Sequence, residues 1–267
     1  MTAASAASPD AGTSTATRHS YNAVAERYAA EIGDELDGKP LDRALLAAFV
    51  ELASEGPIAD IGCGPGHATA HLAHHGARTL GVDLSPAMCA VAHRTTALPC
   101  AAADMTALPI RSHTMGGILC WYAVIHLNQT ERAAAYAEFA RVLRPGAPAL
   151  IAFHTDATDT GPGQATHLTE WWDHPVDLTF RYLDPTTEVA ALARAGLTLA
   201  ARLDRAPHPG VEHASQRSYL LVRRLAQPQR REIPGPDEGS SAAASVSADG
   251  RRHRAHRGGR SRAAASA

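Results

Sequence analysis

"ADIGCGPGHATAHLAHHG", residues 59–76, runs three glycines through five positions and then four histidines through nine. An apolar stretch, "PIADIG", leads into Gly62-Cys63-Gly64-Pro65-Gly66, and a helical pattern follows. Strand, glycine loop, helix is the order in which glycines let backbone approach a ligand at a helix N-terminus. Asp83 stands 21 residues after Gly62, at the end of the next apolar stretch, "RTLGVDLS". A carboxylate placed there accepts hydrogen bonds from ribose hydroxyls, so the stretch predicts an adenosine-containing ligand. The dinucleotide fingerprint sets its third glycine three positions after the second, where this chain has His67. Asp60 precedes the loop, and its negative charge suits an ammonium group better than a pyrophosphate. The expected ligand therefore carries adenosine at one end and an amino acid at the other.

Outward from the loop, elements alternate. "PAMCAVAHRT" reads as a helix, "LPCAAADM" as a weak strand, "GGILCWYAV" and "ALIAFH" as strands. Between the last two, Asn128 caps a helix with Glu131 as its reciprocal partner, and Tyr136, Phe139, Ala140 and Leu143 share one face. Upstream, Leu41, Leu45, Phe49 and Leu52 recur at helical spacing after Pro40. Asp184-Pro185 opens a further helix that Gly196 closes, and "LTLAARLD" and "RSYLLVRR" follow as an antiparallel pair at one sheet edge. Alternation with short connections predicts a parallel sheet covered on both faces.

The chain has 267 residues, 45% of them hydrophobic and 5% aromatic, enough for one core in which alanine does much of the filling. Residues 1–19 and 226–267 lack apolar periodicity and are expected to be disordered tails, leaving 20–225 as the domain. A net charge of −2 argues against a general attraction to nucleic acid or anionic membrane. Cys63, Cys89, Cys100 and Cys120 form no C-x-x-C pair and read as small buried thiols in a reducing, cytoplasmic compartment. No apolar run long enough for a membrane span or signal peptide appears. The sequence leaves the oligomeric state open.

"ADIGCGPG", "GVDLSPAM", "AADMTALP" and "LRPGAPALIAFH" together resemble the successive motifs of the class I S-adenosylmethionine-dependent methyltransferases, in their bacterial small-molecule branch. The likeness runs from about Tyr21 to Arg224. It implies a Rossmann-like α/β fold with a seven-stranded, mostly parallel sheet and one antiparallel edge strand. It also implies S-adenosylmethionine as cofactor: Asp60, Gly62, Gly64 and Gly66 at its methionine part, Asp83 at the ribose, and Asp104 with Met105 at the adenine. Leu84, Met88 and Cys120 complete that set, and Tyr21 and Tyr28 resemble the amino-terminal tyrosines that close over the cofactor. Plainer roles stand beside these: Asp60 tying down the loop through its acceptor oxygens, Met88 as core, Asp104 solvating a turn.

His67, His71 and His75 share a helix face, but Ala68 stands where a zinc-protease helix needs its glutamate, and no third ligand is evident. The expectation is a cofactor and no metal. Ligands of open α/β sheets bind at the C-terminal edge, where "CWYAVIH" and "AFHTD" supply Trp121, Tyr122, His126 and His154. His126 and His154 are the candidate bases, and Trp121 and Tyr122 candidate substrate contacts. The segment "HLTEWWDHPVDLTFRY" adds Trp171, Trp172 and His174 as a lid. No N-P-P-Y sequence and no acidic pair follow the "GGILCWYAV" strand, which disfavours DNA adenine methylation and metal-assisted O-methylation. The resulting reading is methyl transfer to O, N or C of a small molecule in specialised metabolism. Its rivals are an RNA methyltransferase, using Arg251, Arg252, Arg254, Arg257, Arg260 and Arg262 of the tail, and a non-catalytic cofactor binder.

Overall fold

The computed structural model describes residues 13–226, so the expectations for 1–12 and for the tail from 227 onward lie outside the described residues. Nine strands and six α-helices form the described part. Seven of the strands make one sheet: β1 (Ile58–Ile61), β2 (Thr79–Asp83), β3 (Cys100–Ala102), β4 (Gly117–Trp121), β5 (Pro148–His154), β8 (Leu197–Arg205) and β9 (Arg217–Arg224). Its order is β3-β2-β1-β4-β5-β9-β8. The first five strands pair in parallel, and β9 runs antiparallel between β5 and β8, giving the antiparallel pair expected at that edge.

Alternation along the strands divides the core in two. Ile118, Cys120, Ile151 and Phe153 face α5 (Gln129–Val142) and α6 (Pro185–Arg194), meeting Tyr136, Phe139 and Leu192. Leu119, Trp121, Leu150 and Ala152 face the other way, toward Leu46 and Phe49 of α2 (Pro40–Leu52) and Leu72 of α3 (His67–His74). Local signals act where the sequence puts them. Asn128 and Glu131 form a complete capping box, and Asp184 accepts from the Thr187 amide to cap α6. On α2 the apolar stripe is turned from its expected phase: Leu46 and Phe49 are buried, while Leu41 and Leu52 are exposed.

One expectation is overturned at the amino terminus. Helix α1 starts at Thr13, inside the segment expected to be a tail, and runs to Ile32. Its buried face begins with the small polar side chains of Thr17 and Ser20, which carry no apolar period. Ser20 Oγ donates to Ala16 O at 2.8 Å and accepts from the Asp177 amide at 2.8 Å. Val24 packs on Val176 and Leu178, and Ala25 on Met88 and Val91 of α4 (Pro86–Thr96). The helix thus bridges α4 and a separate two-stranded hairpin, β6 (Ala165–Trp171) with β7 (His174–Arg181). The strand order reverses between β1 and β4, and ligands of such sheets bind at that switch point.

Candidate active site

The β1 strand ends at Ile61, and Gly62, Gly64 and Gly66 follow with φ of 77°, 53° and 86°. A Cβ on Gly62 would lie 2.2 Å from Ala123 Cβ, and one on Gly66 3.0 Å from Ala92 Cβ. These two glycines let the loop press against the end of β4 and against α4. Gly64 has open space apart from the Tyr28 ring edge at 3.8 Å, and it lines a cleft. Its amide donates to Asp83 Oδ2 at 2.9 Å, while Ser85 N donates to Oδ1 at 2.8 Å. Asp83 therefore holds the loop open, and each of its oxygens keeps a further lone pair. Burial raises its pKa.

Leu84, Met88, Asp104 and Met105 line the same cleft, with Ile61 and Val82 between them. Asp104 Oδ1 takes the amide and hydroxyl of Thr106, at 2.8 and 2.7 Å, and so shapes its own turn. Asp60 stands behind the loop, fully buried. Its Oδ2 accepts from Thr69 Oγ1 at 2.6 Å, not from a loop amide, and Oδ1 has no partner. Loss of hydration pushes this carboxyl up to about 6.

A chamber of about 850 Å³ adjoins the cleft. Tyr21, Tyr28, Trp121 and Tyr122 line both spaces. Tyr122 adopts φ of 56° just after β4, a backbone state that costs an aromatic residue about 1–3 kcal/mol and is held by its surroundings. Its ring stacks on His154 with centroids 4.7 Å apart, and its hydroxyl lies 2.7 Å from that of Tyr219, which donates to Asp42 Oδ1. Beyond these rings the chamber ends in charge, with Glu212 facing Lys39, Arg205 and Arg217 at 2.6–3.3 Å.

Of the two candidate histidines, His126 is buried and His154 half-buried. Burial holds His126 down to about 4 and His154 down to about 3. His126 Nδ1 faces Thr179 O at 3.1 Å, and its Nε2 faces the Tyr21 hydroxyl at 2.7 Å. His154 Nδ1 meets Ser215 Oγ at 2.9 Å and lines the chamber, whereas His126 lines the cleft.

Besides Asp60, behind the loop, four residues of the expected set line neither space. Cys120 is wholly buried among Ile61, Val124 and Ile151, because β4 alternation turns it away from the face that carries Trp121. Gly66 packs against α4, as above. Trp172 sits in the hairpin turn, stacked on Trp171 at 4.5 Å, and only Trp171 of the two lines the chamber. His174 is exposed on β7. In the histidine stretch, His67 Nε2 pairs with Glu35 Oε1 at 3.1 Å and His71 packs against His75. Among the described residues no three His, Cys, Asp or Glu side chains are grouped to hold a metal ion.

Residues 58–146 match the family model described as a methyltransferase domain. Among solved structures, the chain is similar to the Burkholderia thailandensis 1,6-didemethyltoxoflavin-N1-methyltransferase, solved with bound 1,6-didemethyltoxoflavin and S-adenosylhomocysteine. That likeness has a TM-score of 0.64 at 19% identity, covering 84% of this chain and 93% of the other. The magnesium protoporphyrin IX methyltransferase of Synechocystis aligns with a TM-score of 0.60 at 16% identity, over 79% of this chain and 99% of the other. No curated protein matches the sequence. This is the class I methyltransferase fold.

Within that fold, the cleft at β1 and β2 and the chamber beside it share α1 and the end of β4 and differ in the rest of their walls. Sequence reasoning missed Lys39, Phe180, Arg181, Glu212 and Arg217 on the chamber wall. Phe180 and Arg181 fall inside the segment read as a lid, and Asp42, an acid beside Arg43 in the mostly apolar "PLDRALLAAF", was the visible sign of a buried charge. A cyclase shares the methyltransferase fold too, with a TM-score of 0.53 at 16% identity over 69% of this chain and 80% of the other. Fold alone therefore leaves the chemistry to the site.

Proposed function

We propose that the protein binds S-adenosylmethionine in the cleft and transfers its methyl group to a small molecule held in the chamber. The observation that carries this reading is the wall the two spaces share, Tyr21, Tyr28, Trp121 and Tyr122. The cleft fits such a cofactor. Asp60 keeps a buried, unpartnered oxygen beside the loop, Gly64 has no side chain to fill the space before Tyr28, and Asp83 has acceptor capacity for ribose hydroxyls. When bound, the cofactor supplies an activated methyl on a sulfonium. The protein aligns the acceptor with it, and the four aromatic walls exclude water and favour the positive sulfur through their π faces. The setting proposed is specialised metabolism in a reducing cytoplasm, where the four free thiols would stay reduced. No helix among the described residues is long and apolar enough to cross a membrane.

Calorimetry with S-adenosylmethionine and with NAD tests the first half: the former should bind and the latter should not. Asp83→Ala should weaken binding by about 1.5–3 kcal/mol, the worth of a hydrogen bond to a charged group. Tight NAD binding, or unchanged affinity in the variant, would remove the assignment. Mass spectrometry of a small-molecule extract incubated with isotope-labelled methyl donor tests the second half. Label in a small molecule is expected, and label in added RNA would point to the other substrate class.

A further inference from the structure

The Tyr21–His126 contact fixes more than packing. Thr179 O, 3.1 Å from His126 Nδ1, is a carbonyl and only accepts, so Nδ1 carries the ring proton. Nε2 of the neutral ring is then a lone pair, and the Tyr21 hydroxyl, 2.7 Å away, is the donor. His126 reaches the cleft but not the chamber, whereas Tyr21 lines both. Tyr21 is thus the residue through which the chamber and His126 communicate, and its phenol oxygen retains acceptor lone pairs. The orientation is well held: Tyr21 packs edge-on against Tyr28 and Trp171 at 5.8 and 6.2 Å, and the Phe180 ring lies edge-on to His126 at 4.9 Å.

Resting on the reading of cleft and chamber just given, we propose that Tyr21 takes the acceptor's proton while handing its own to His126, and that the acceptor is an O–H or N–H compound. As the new carbon–oxygen or carbon–nitrogen bond forms, the carbon–sulfur bond breaks and sulfur keeps its electron pair. The acceptor's proton moves to the Tyr21 oxygen, and the Tyr21 proton moves to His126 Nε2. The products are a methylated acceptor, a neutral sulfide, an unchanged phenol and an imidazolium. Charge is conserved within the site, because one positive charge leaves the sulfur as one appears on the ring.

That balance explains why a weak base suffices. An attacking hydroxyl or amine becomes strongly acidic only as the methyl arrives, so the proton leaves late and toward a poor acceptor. Burial, with the Arg181 charge nearby, keeps the imidazole unprotonated at neutral pH and so always ready. The groups that face it are the Tyr21 phenol from α1, the Thr179 carbonyl from β7 and the Phe180 ring, while the Arg181 guanidinium donates to His126 O at 2.7 Å. His154 differs in place, lining the chamber and not the cleft. Ser215 Oγ donates to Gln216 O, so His154 Nδ1 donates to Ser215, and its ring stacks on Tyr122 away from the cleft.

The test uses Tyr21→Phe, which keeps the ring packing and removes one hydroxyl. Nitrogen NMR of the full chain without ligand should show His126 neutral at pH 7 with its proton on Nδ1, and in the variant the Nε2 resonance should move to that of an unbonded lone pair. A protonated ring at pH 7, or a proton on Nε2, overturns the relay. With labelled S-adenosylmethionine and the acceptor that receives the label, Tyr21→Phe and His126→Gln should each lower kcat by about 10²–10⁴-fold. Cofactor affinity by calorimetry should fall far less than kcat, because Tyr21→Phe keeps the aromatic face, and the wild-type solvent deuterium isotope effect should vanish in Tyr21→Phe. Full turnover in Tyr21→Phe, or a product methylated on carbon or sulfur, overturns the proposal while leaving methyl transfer standing. A wild-type chain that fails to bind S-adenosylmethionine overturns both.

Discussion

Asp60 behind the glycine loop and Glu212 on the chamber floor are both shielded from solvent, yet their surroundings push them in opposite directions. Glu212 accepts two bonds from Arg205, at 2.6 and 2.9 Å, and one from the His208 amide at 2.7 Å, with Lys39 and Arg217 at 3.3 and 3.2 Å. Those partners outweigh burial and hold it down to about 2. Asp60 has the hydroxyl and amide of Thr69 and an empty oxygen, and burial outweighs those partners to leave it at about 6. A buried group with its partners in place belongs to the scaffold. One left short costs stability until something else satisfies it, which is how a ligand site differs from a brace.

The largest effect is expected on the chamber side. Glu212→Ala leaves Arg205, Lys39 and Arg217 without their common partner, and breaking a buried pair in this way costs about 3–5 kcal/mol. Urea denaturation at pH 7 measures it. The folded pKa lies below the ordinary 4.5, so the carboxylate's contribution is whole above that pH and is lost as pH falls toward about 2. The gap between wild type and variant should close over that range. A small gap, or one indifferent to pH, would make Glu212 no brace at all.

Asp60→Asn should act with the opposite sign. Its folded pKa is raised from 3.8 to about 6, so the acid favours the folded state most below 3.8, and that benefit is lost as pH rises through 6. Removing the charge should therefore stabilise the ligand-free protein at pH 8 by up to about 3 kcal/mol, less the cost of an unpaired amide, and do nothing at pH 3.5. Calorimetry should show weaker S-adenosylmethionine binding in the same variant. A variant less stable than wild type at pH 8, with unchanged binding, would put Asp60 in the same class as Glu212.

The contrast also governs what could be read from the chain. The readable part of the cleft is compact in sequence: Gly62, Gly64, Asp83, Leu84, Met88, Asp104 and Met105 come from three successive strand ends and each obeys a local rule of turn, cap or strand terminus, while Tyr21, Tyr28, Trp121 and Tyr122 reach it from α1 and the end of β4. The sheet was legible for the same reason, since alternation, the Asn128 capping box and Asp184-Pro185 are short-range signals. The chamber draws on α1, the end of β4, the hairpin and the segment around Glu212, far apart in sequence, and single charges such as Lys39 or Arg217 carry no local mark of burial. Helix α1 was not read from the sequence, and its first turns fell in the expected tail, because Thr17 and Ser20 make its contacts with polar atoms. Cys120 was misplaced by one step of a strand, which is enough to reverse its face.

The smallest effect is expected at the hairpin turn, and it separates two adjacent tryptophans that the sequence treats alike. Trp172 and Asp173 have φ of 49° and 63°, the pattern of a tight hairpin turn that favours Asn and Gly over bulky side chains. Trp172 stays there through its stack on Trp171, 4.5 Å apart with planes at 14°, and an edge contact with Tyr28 at 6.1 Å. Aromatic pairs of this kind contribute about 0.5–1.5 kcal/mol beyond their area. Trp172→Asn gives up that stack and relieves about 1 kcal/mol or more of backbone strain. The two terms oppose, so the melting temperature should move by only a few degrees either way, as expected for a change near 1 kcal/mol in a domain of this size. Because Trp172 lines neither cavity, cofactor affinity and the KM for the acceptor should hold, whereas Trp171→Ala should raise that KM by opening the chamber wall. Equal losses in the two variants would mean that the acceptor reaches past Trp171 to the turn, and that the chamber is larger than its wall of Tyr28, Trp171 and Phe180 now marks.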